Sequence, residues 1–335
     1  MRRVVRCVDC DRELCALLLP SVAVLDGTSS EVRVEGLPPL PPSAAVRRDL
    51  RPDPKGKALE PRREIWFHRR INLISALREL WAFRELTLTL AERDLRVRYK
   101  QAVLGIAWAV ISPVFMMLAF TLIFQKFAKV NTDGAPYALF SYMGLLPWTF
   151  FSSSVSVGGL SLVSNQPLLN KLYCPREVFP IAGIADALVD ALIATLVLAI
   201  LFPILGFAPH PQIFYLPLLM IVLVMFTLGV TLALSALTVY MRDLRLVLPL
   251  VIQLGLFVTP VVYASTSISK TESFLVVFSV LNPLVPVIDG LRRTILNGQG
   301  PQWLPLAAGA ASSMVILLAG FALFKRLETG MADIA

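Results

Sequence analysis

Six apolar runs, nearly free of charge, constrain this chain more than any other feature. They cover residues 103–127, 137–163, 178–207, 213–240, 246–264 and 304–324. A helix of roughly 20 apolar residues crosses the ~30 Å hydrocarbon layer of a bilayer. In lipid, the backbone polar groups of such a run must be satisfied within the run, which selects helix. The expectation is an all-α integral membrane fold with six transmembrane helices. Composition agrees: 56% of the 335 residues are hydrophobic and 16% charged, where soluble domains carry about 25% charged residues. The formal charge of +8 does not point to nucleic acid. The basic residues cluster at the ends of apolar runs and in the N-terminal tail, as they do at cytosolic membrane flanks.

Residues 1–70 differ from the rest. Pro38, Pro39, Pro41, Pro42, Pro52 and Pro54 sit among charges, and the segment reads as a flexible or weakly structured cytosolic tail. Its thiols, Cys7, Cys10 and Cys15, lack the local fourth ligand of a closed zinc site. Residues 71–101 then turn helical. Leu73, Leu77, Leu80, Trp81, Leu88, Ala91 and Leu95 recur at helical spacing, broken by Arg84, while Arg93, Arg96 and Lys100 share another side. This pattern predicts an amphipathic helix lying in the membrane interface, ahead of a transmembrane domain over 102–335.

Charge bias sets the topology. Six spans put both termini on one side, with Arg93, Arg96, Arg98, Lys100, Lys171, Arg176, Arg242, Arg245, Lys325 and Arg326. Lys126, Lys129, Lys270, Arg292 and Arg293 fall opposite. The richer side is cytosolic by the positive-inside rule. Between spans five and six, the short apolar stretch 274–287 is cut by Asn282-Pro283 and Pro286. It is too short to cross, and reads as a re-entrant helical hairpin between those spans.

Catalytic signatures are missing. There is no GxxxxGK[ST] phosphate loop and no GxSxG elbow, so ATP binding by the former and nucleophilic hydrolysis by the latter are excluded. The two histidines, His68 and His210, fall on opposite sides of the membrane and make no metal site. Within the spans, Asp186 and Asp190 stand at i and i+4 on one helix face. They either face a cavity or a partner, or are satisfied near the headgroups and by a neighbouring hydroxyl. Transport therefore outranks catalysis.

The loop between spans two and three reads LLNKLYCPREVFP, residues 168–180. Asn165 is placed to cap a short helix opening near Pro167 and running to about Tyr173. Pro175 forces Cys174 to be extended, and Glu177 falls in the first turn of span three, where the helix dipole favours an anion.

Six pieces in order carry a family resemblance: RDLRVRYKQAVLGIAWAVISP (93–113), GLLPWTFFSSS (144–154), NKLYCPREVFP (170–180), YMRDLRLVLPLVIQLGLFVTPVVY (240–263), NPLVPVIDGLRRTIL (282–296) and FKRLETGMADIA (324–335). From about residue 78 onward the chain resembles an ABC-2 type permease subunit of exporters for O-antigen, capsule or teichoic-acid polymers. The resemblance implies a homodimer in the bacterial inner membrane, surrounded by membrane lipid, bound to two cytosolic ABC ATPase subunits. It implies a lipid-linked glycan as substrate, with ATP and Mg used by the partner and no cofactor or metal bound directly. Its coupling loop maps onto Leu168, Asn170, Lys171, Tyr173, Pro175, Arg176 and Glu177. Its interface helix corresponds to 77–100, with Arg93, Arg96, Arg98, Tyr99 and Lys100, and its second cytosolic loop to Arg242, Asp243 and Arg245.

The family's outer paired short helices correspond to 274–297, with Asn282, Pro283, Arg292 and Arg293. The two arginines would meet anionic polymer or pyrophosphate-lipid, or else lipid headgroups. Tyr142, Trp148, Phe150, Phe151, Phe257 and Tyr263, with Asp186 and Asp190, are candidates for the translocation path, since sugar faces stack on rings. Aromatic packing or interfacial belting is the competing reading for the rings. An ABC-2 exporter of a drug or simple lipid, or a membrane-bound glycosyl or acyl transferase, is the alternative for the chain.

Overall fold

The computed structural model describes residues 80–100, 107–128, 135–169, 174–264, 272–328 and 330–331, excepting the side chains of 125–128 and 272. All of these belong to one compact unit, Arg69–Ala335. The expected tail with Cys7, Cys10 and Cys15, and the start of the interface helix, lie outside the described residues.

Every regular element among the described residues is helical. In chain order they are α1 (Arg84–Lys100), α2 (Ala107–Phe120, continued by π-helical turns to Ala128), α3 (Tyr137–Ser164), α4 (Gln166–Leu169), α5 (Val178–Ile204), α6 (Leu216–Tyr240, entered through a 3-10 turn over Pro211–Tyr215), α7 (Leu244–Val258), α8 (Glu272–Leu281), α9 (Leu284–Ile295) and α10 (Trp303–Glu328). Five apolar segments are long enough to cross a membrane: Ala107–Phe124, Tyr137–Ser164, Val178–Ile204, Pro211–Tyr240 and Trp303–Glu328. They coincide with five of the six apolar runs.

The remaining run, expected over 246–264, forms the shorter α7. It ends at Val258 because Pro260 disfavours helical backbone at the residue before it, and Thr259 is accordingly extended. At 1.5 Å per residue, the 15 residues of α7 reach about 22 Å. The 10 residues of α8 and 12 of α9 reach about 15 and 18 Å by the same rise. Those two are too short to cross ~30 Å of hydrocarbon.

Helix α3 is the central element, packing against α2, α5, α6 and α9. Its residues Leu139, Tyr142, Met143 and Leu145 join Leu219 and Leu223 of α6 and Val287 and Ile288 of α9 in the main apolar core. A second apolar cluster forms where α3 ends and α5 begins. It joins Leu90 and Ala91 of α1, Leu162, Val178 and Phe179, Ala236 of α6 and Phe324 of α10.

Helices α6 and α10 approach most closely at Gly229 and Gly320: a Cβ on Gly320 would strike the Gly229 carbonyl. Small residues at such crossings let apolar helices pack backbone to backbone where water supplies no driving force. Helix α5 stops at Gly206, whose φ of 64° is the left-handed conformation open to glycine. The Gly206 N–H donates to the Pro203 carbonyl (3.2 Å) and Phe207 N–H to that of Phe202 (3.0 Å), a Schellman closure.

Candidate functional site

The α3–α5 connection begins at Asn165. Its carbonyl accepts the N–H groups of Leu168 (2.9 Å) and Leu169 (3.1 Å), closing α4. Its side chain is otherwise engaged, so it does not cap α4 as expected. The Asn165 amide donates to the Ser161 carbonyl (3.0 Å), and Oδ1 accepts from Arg93 Nη2 (2.6 Å). Leu168 and Leu169 pack against the second cluster. Asn170, Lys171 and Tyr173 lie outside the described residues. Cys174 is half-buried, and burial pushes its thiol above the ordinary value.

Past Pro175 the chain turns into α5 through Arg176 and Glu177. Arg176 Nη1 donates to the Glu328 carbonyl (2.8 Å). Glu177 is buried, 1% exposed, at the N-cap of α5, where the helix dipole favours an anion. It is ion-paired with Lys325, which also contacts the Glu328 carboxylate at 3.0 Å. Tyr240, at the end of α6, donates to the Leu327 carbonyl (2.6 Å). Sequence reasoning used Lys325 only as a topology marker, because its partner lies 148 positions away and no local pattern joins them.

The basic residues of α1 divide by direction. Arg96 pairs with Glu92 one turn earlier, both open to solvent, and Lys100 is exposed. Arg93 and Arg98 bind protein instead. Arg98 pairs with Asp186, whose side chain is fully buried, and with Asp190 at 2.8 Å. Tyr99 donates its hydroxyl to Asp190. Burial opposes the Arg98 charge, but the two carboxylates outweigh it and hold its pKa above the ordinary value. Burial, then the Asp190 contact, pushes the Tyr99 phenol up to about 12. Asp186 thus meets a cation from α1, while Asp190 meets both that cation and a neighbouring hydroxyl, so each reading of the pair has one of its contacts.

The aromatic candidates separate in the same way. Tyr142 is 1% exposed and donates to the Ala194 carbonyl (2.9 Å). Trp148 and Phe150 are buried, and Trp148 leads through Phe151 (5.8 Å) to a stacked Phe151–Phe226 pair (5.2 Å, 8°). These rings are buried because α3 is enclosed on several sides: Tyr142 and Trp148 pack in the core, and Phe150 lies at the wall of a cleft. Tyr263 folds back onto the carbonyls of Phe257 (3.0 Å) and Val258 (3.2 Å). Phe257 is exposed.

The structure corrects the expectation for Arg292. It is 4% exposed and does not present itself to a polymer or headgroup. Its Nε donates to the Phe140 carbonyl (3.2 Å), Nη1 to Pro260 (2.9 Å) and Tyr263 (3.0 Å), and Nη2 to Val261 (2.5 Å). The guanidinium lies 3.7 Å from the Phe140 ring centroid. The backbone beyond α7 has carbonyls with no helical partner, and a rigid fork of five donors is the side chain best suited to collect them. Asn282 adds to this join. Its Nδ2 donates to Thr259 Oγ1 (2.8 Å), and its Oδ1 accepts the Leu284 N–H (3.2 Å), while Pro283 opens α9. Arg293 is only partly buried. Arg242, Asp243 and Arg245 sit at the α6–α7 turn, where the Asp243 carbonyl accepts the Leu246 N–H (3.0 Å).

A cleft of about 750 Å³ opens between α3, α5, α6 and α9, walled by residues such as Phe150, Leu192, Phe202, Met220 and Ile295. Thr195 supplies the sole side-chain hydroxyl of its lining, so it suits hydrocarbon rather than sugar. Among the described residues, no group of three or more His, Cys, Asp or Glu could hold a metal ion.

Such a bundle, with the α3–α5 connection tied to α1 and to α10, is that of a polytopic helical membrane protein. The chain belongs to the ABC-2 type transporter family, whose model matches residues 85–296. It is 30% identical over 245 residues to the O-antigen export system permease protein RfbA of Myxococcus xanthus, covering 73% of this chain and 93% of that relative. To the protein of the same name from Klebsiella pneumoniae it is 28% identical over 246 residues, 73% and 93% of the two chains. It is also 28% identical over 247 residues to the polysialic acid transport protein KpsM of Escherichia coli, 71% and 92%.

Proposed function

We propose that the chain is the permease subunit of an ATP-driven exporter that carries a lipid-linked polysaccharide across the bacterial inner membrane. The observation that carries this reading is the 30% identity spanning 93% of an O-antigen export permease, supported by the match to a polysialic acid transporter. In this reading the chain divides into a tail over 1–70, an interface helix over 71–101 and a transmembrane domain over 102–335. With α7 as a shortened fifth span and α8–α9 as a re-entrant hairpin, both termini are cytosolic.

The chain works as a homodimer with two cytosolic ATPase subunits that bind ATP and Mg, and has no ATPase of its own. In this reading a second copy lies against α2 and α7, with Phe257, exposed at the end of α7, facing the path between them. The ATPase docks on the loop 167–177, through Leu168, Asn170, Lys171, Tyr173, Pro175 and Arg176, and on the turn carrying Arg242, Asp243 and Arg245, while Glu177, buried against Lys325, offers no contact. ATP-driven closure of the ATPases moves those loops and parts the two permease halves.

Deletion of this chain in its host should cause lipid-linked glycan to accumulate inside the cell. Tagged chain solubilised in detergent should retain an ABC ATPase. Absence of both glycan accumulation and ATPase retention rules the reading out.

A further inference from the structure

We propose that Glu177 and Lys325 form a clamp that passes movement of the 167–177 loop to α10 and α6, making Lys325 a positioning residue for transport. The proposal rests on the reading of that loop as the ATPase-receiving element. The loop is covalently continuous with α3 and α5, so those helices follow it directly. Helix α10 lies 148 positions further along the chain (325 − 177), and only non-covalent contacts can make it follow.

Those contacts are concentrated on one turn of α10. Two successive loop residues hold two α10 residues three positions apart: Glu177 binds Lys325, and Arg176 binds the Glu328 carbonyl at 2.8 Å. Lys325 and Glu328 are themselves paired at 3.0 Å. Tyr240 of α6 takes the adjacent Leu327 carbonyl at 2.6 Å. A floor of buried side chains lies directly beneath, with Val178 and Phe179 of α5, Ala236 of α6 and Phe324 of α10 in one cluster. Helices α6 and α10 also meet at the glycine crossing, so a displacement delivered at Lys325 is carried by both.

Stability alone is a poor account of this pair. A buried ion pair often contributes little net stability, because desolvation offsets the attraction. A charge-neutral pair of similar shape would hold the fold as well, yet would not hold the loop to α10 under load. Removing one partner leaves an uncompensated buried charge and damages folding. The informative variant is therefore the double substitution Glu177→Gln with Lys325→Met, which strands no fully buried charge: Glu328, which also loses Lys325, is partly open to water and lies near Arg176.

The test uses the full chain with its co-purified ATPase in proteoliposomes, supplied with lipid-linked glycan extracted from host cells lacking this chain. ATP hydrolysis and glycan export by the double variant are measured together, so that their ratio is read whatever its ATPase rate. Glycan moved per ATP should drop about fivefold, within the range of measured coupling effects. Lys325→Arg alone, which keeps a cation against Glu177, should retain the wild-type ratio. A double variant that exports like the wild type, or whose export falls only in step with ATP hydrolysis, overturns the clamp.

Amide hydrogen exchange over residues 174–181 of the detergent-purified chain gives a second readout that needs no substrate. Exchange should rise about fivefold in the double variant, as expected for local opening, and stay at the wild-type level in Lys325→Arg alone. Unchanged exchange also overturns the clamp. A wild-type complex that moves no glycan defeats the export reading instead, and the exchange result alone then decides the clamp.

Discussion

Arg292 shows how much one residue can organise. Four carbonyls from two separate segments converge on it, and their dipoles act on its charge together with the Asp289 carboxylate one turn earlier. Replacing it with alanine strands those carbonyls, and each unsatisfied buried group costs about 1–3 kcal/mol. Arg292→Ala should therefore lower the detergent melting temperature sharply. Arg292→Lys should recover only part of the loss, because an ammonium has three donors and no planar fork. Equal melting of the alanine variant and wild type would disprove the assignment. The sequence signal was present in the Thr259-Pro260 break, which announces orphan carbonyls. A charge drawn on a helical wheel reads as outward unless those acceptors are counted, and so Arg292 was expected at the surface. Asp186 and Asp190 were legible as a pair on one face. Their partner Arg98 was not, since it sits 88 positions away from Asp186.

At the scale of elements, length and hydropathy carried most of the reading. Long apolar runs have one way to satisfy their backbone in lipid, and five of them are continuous membrane-length helices. The α7 boundary fell six residues short of the 246–264 run, because a proline rule overrides hydropathy. Which faces meet was much less legible, since helices apolar all round carry no stripe that selects a neighbour. Glycines are the exception. The contact of Gly320 is with backbone, so Gly320→Ala should push α6 and α10 apart and cost about 1–3 kcal/mol, the usual range for overpacking. Gly300, with open space around it, is the control: Gly300→Ala should melt as wild type does. Comparable melting of both alanine variants would refute the close crossing.

For the whole molecule, the charged positions sort into two sets along the chain, and topology turns that sorting into sidedness. With six crossings, a cysteine at position 171 should react with an impermeant maleimide only after the membrane is opened. One at position 270 should react in intact spheroplasts. Labelling of both positions from the same side would overturn the topology.

The Arg98–Asp186–Asp190 contact also bears on how the protein is made. The cation precedes Asp186 by 88 residues, so at about 5–20 residues per second it leaves the ribosome roughly 4–18 s ahead of the acid it neutralises. An acidic residue bound for the bilayer is thus synthesised after its counterion, so the pair can close as soon as the acid emerges.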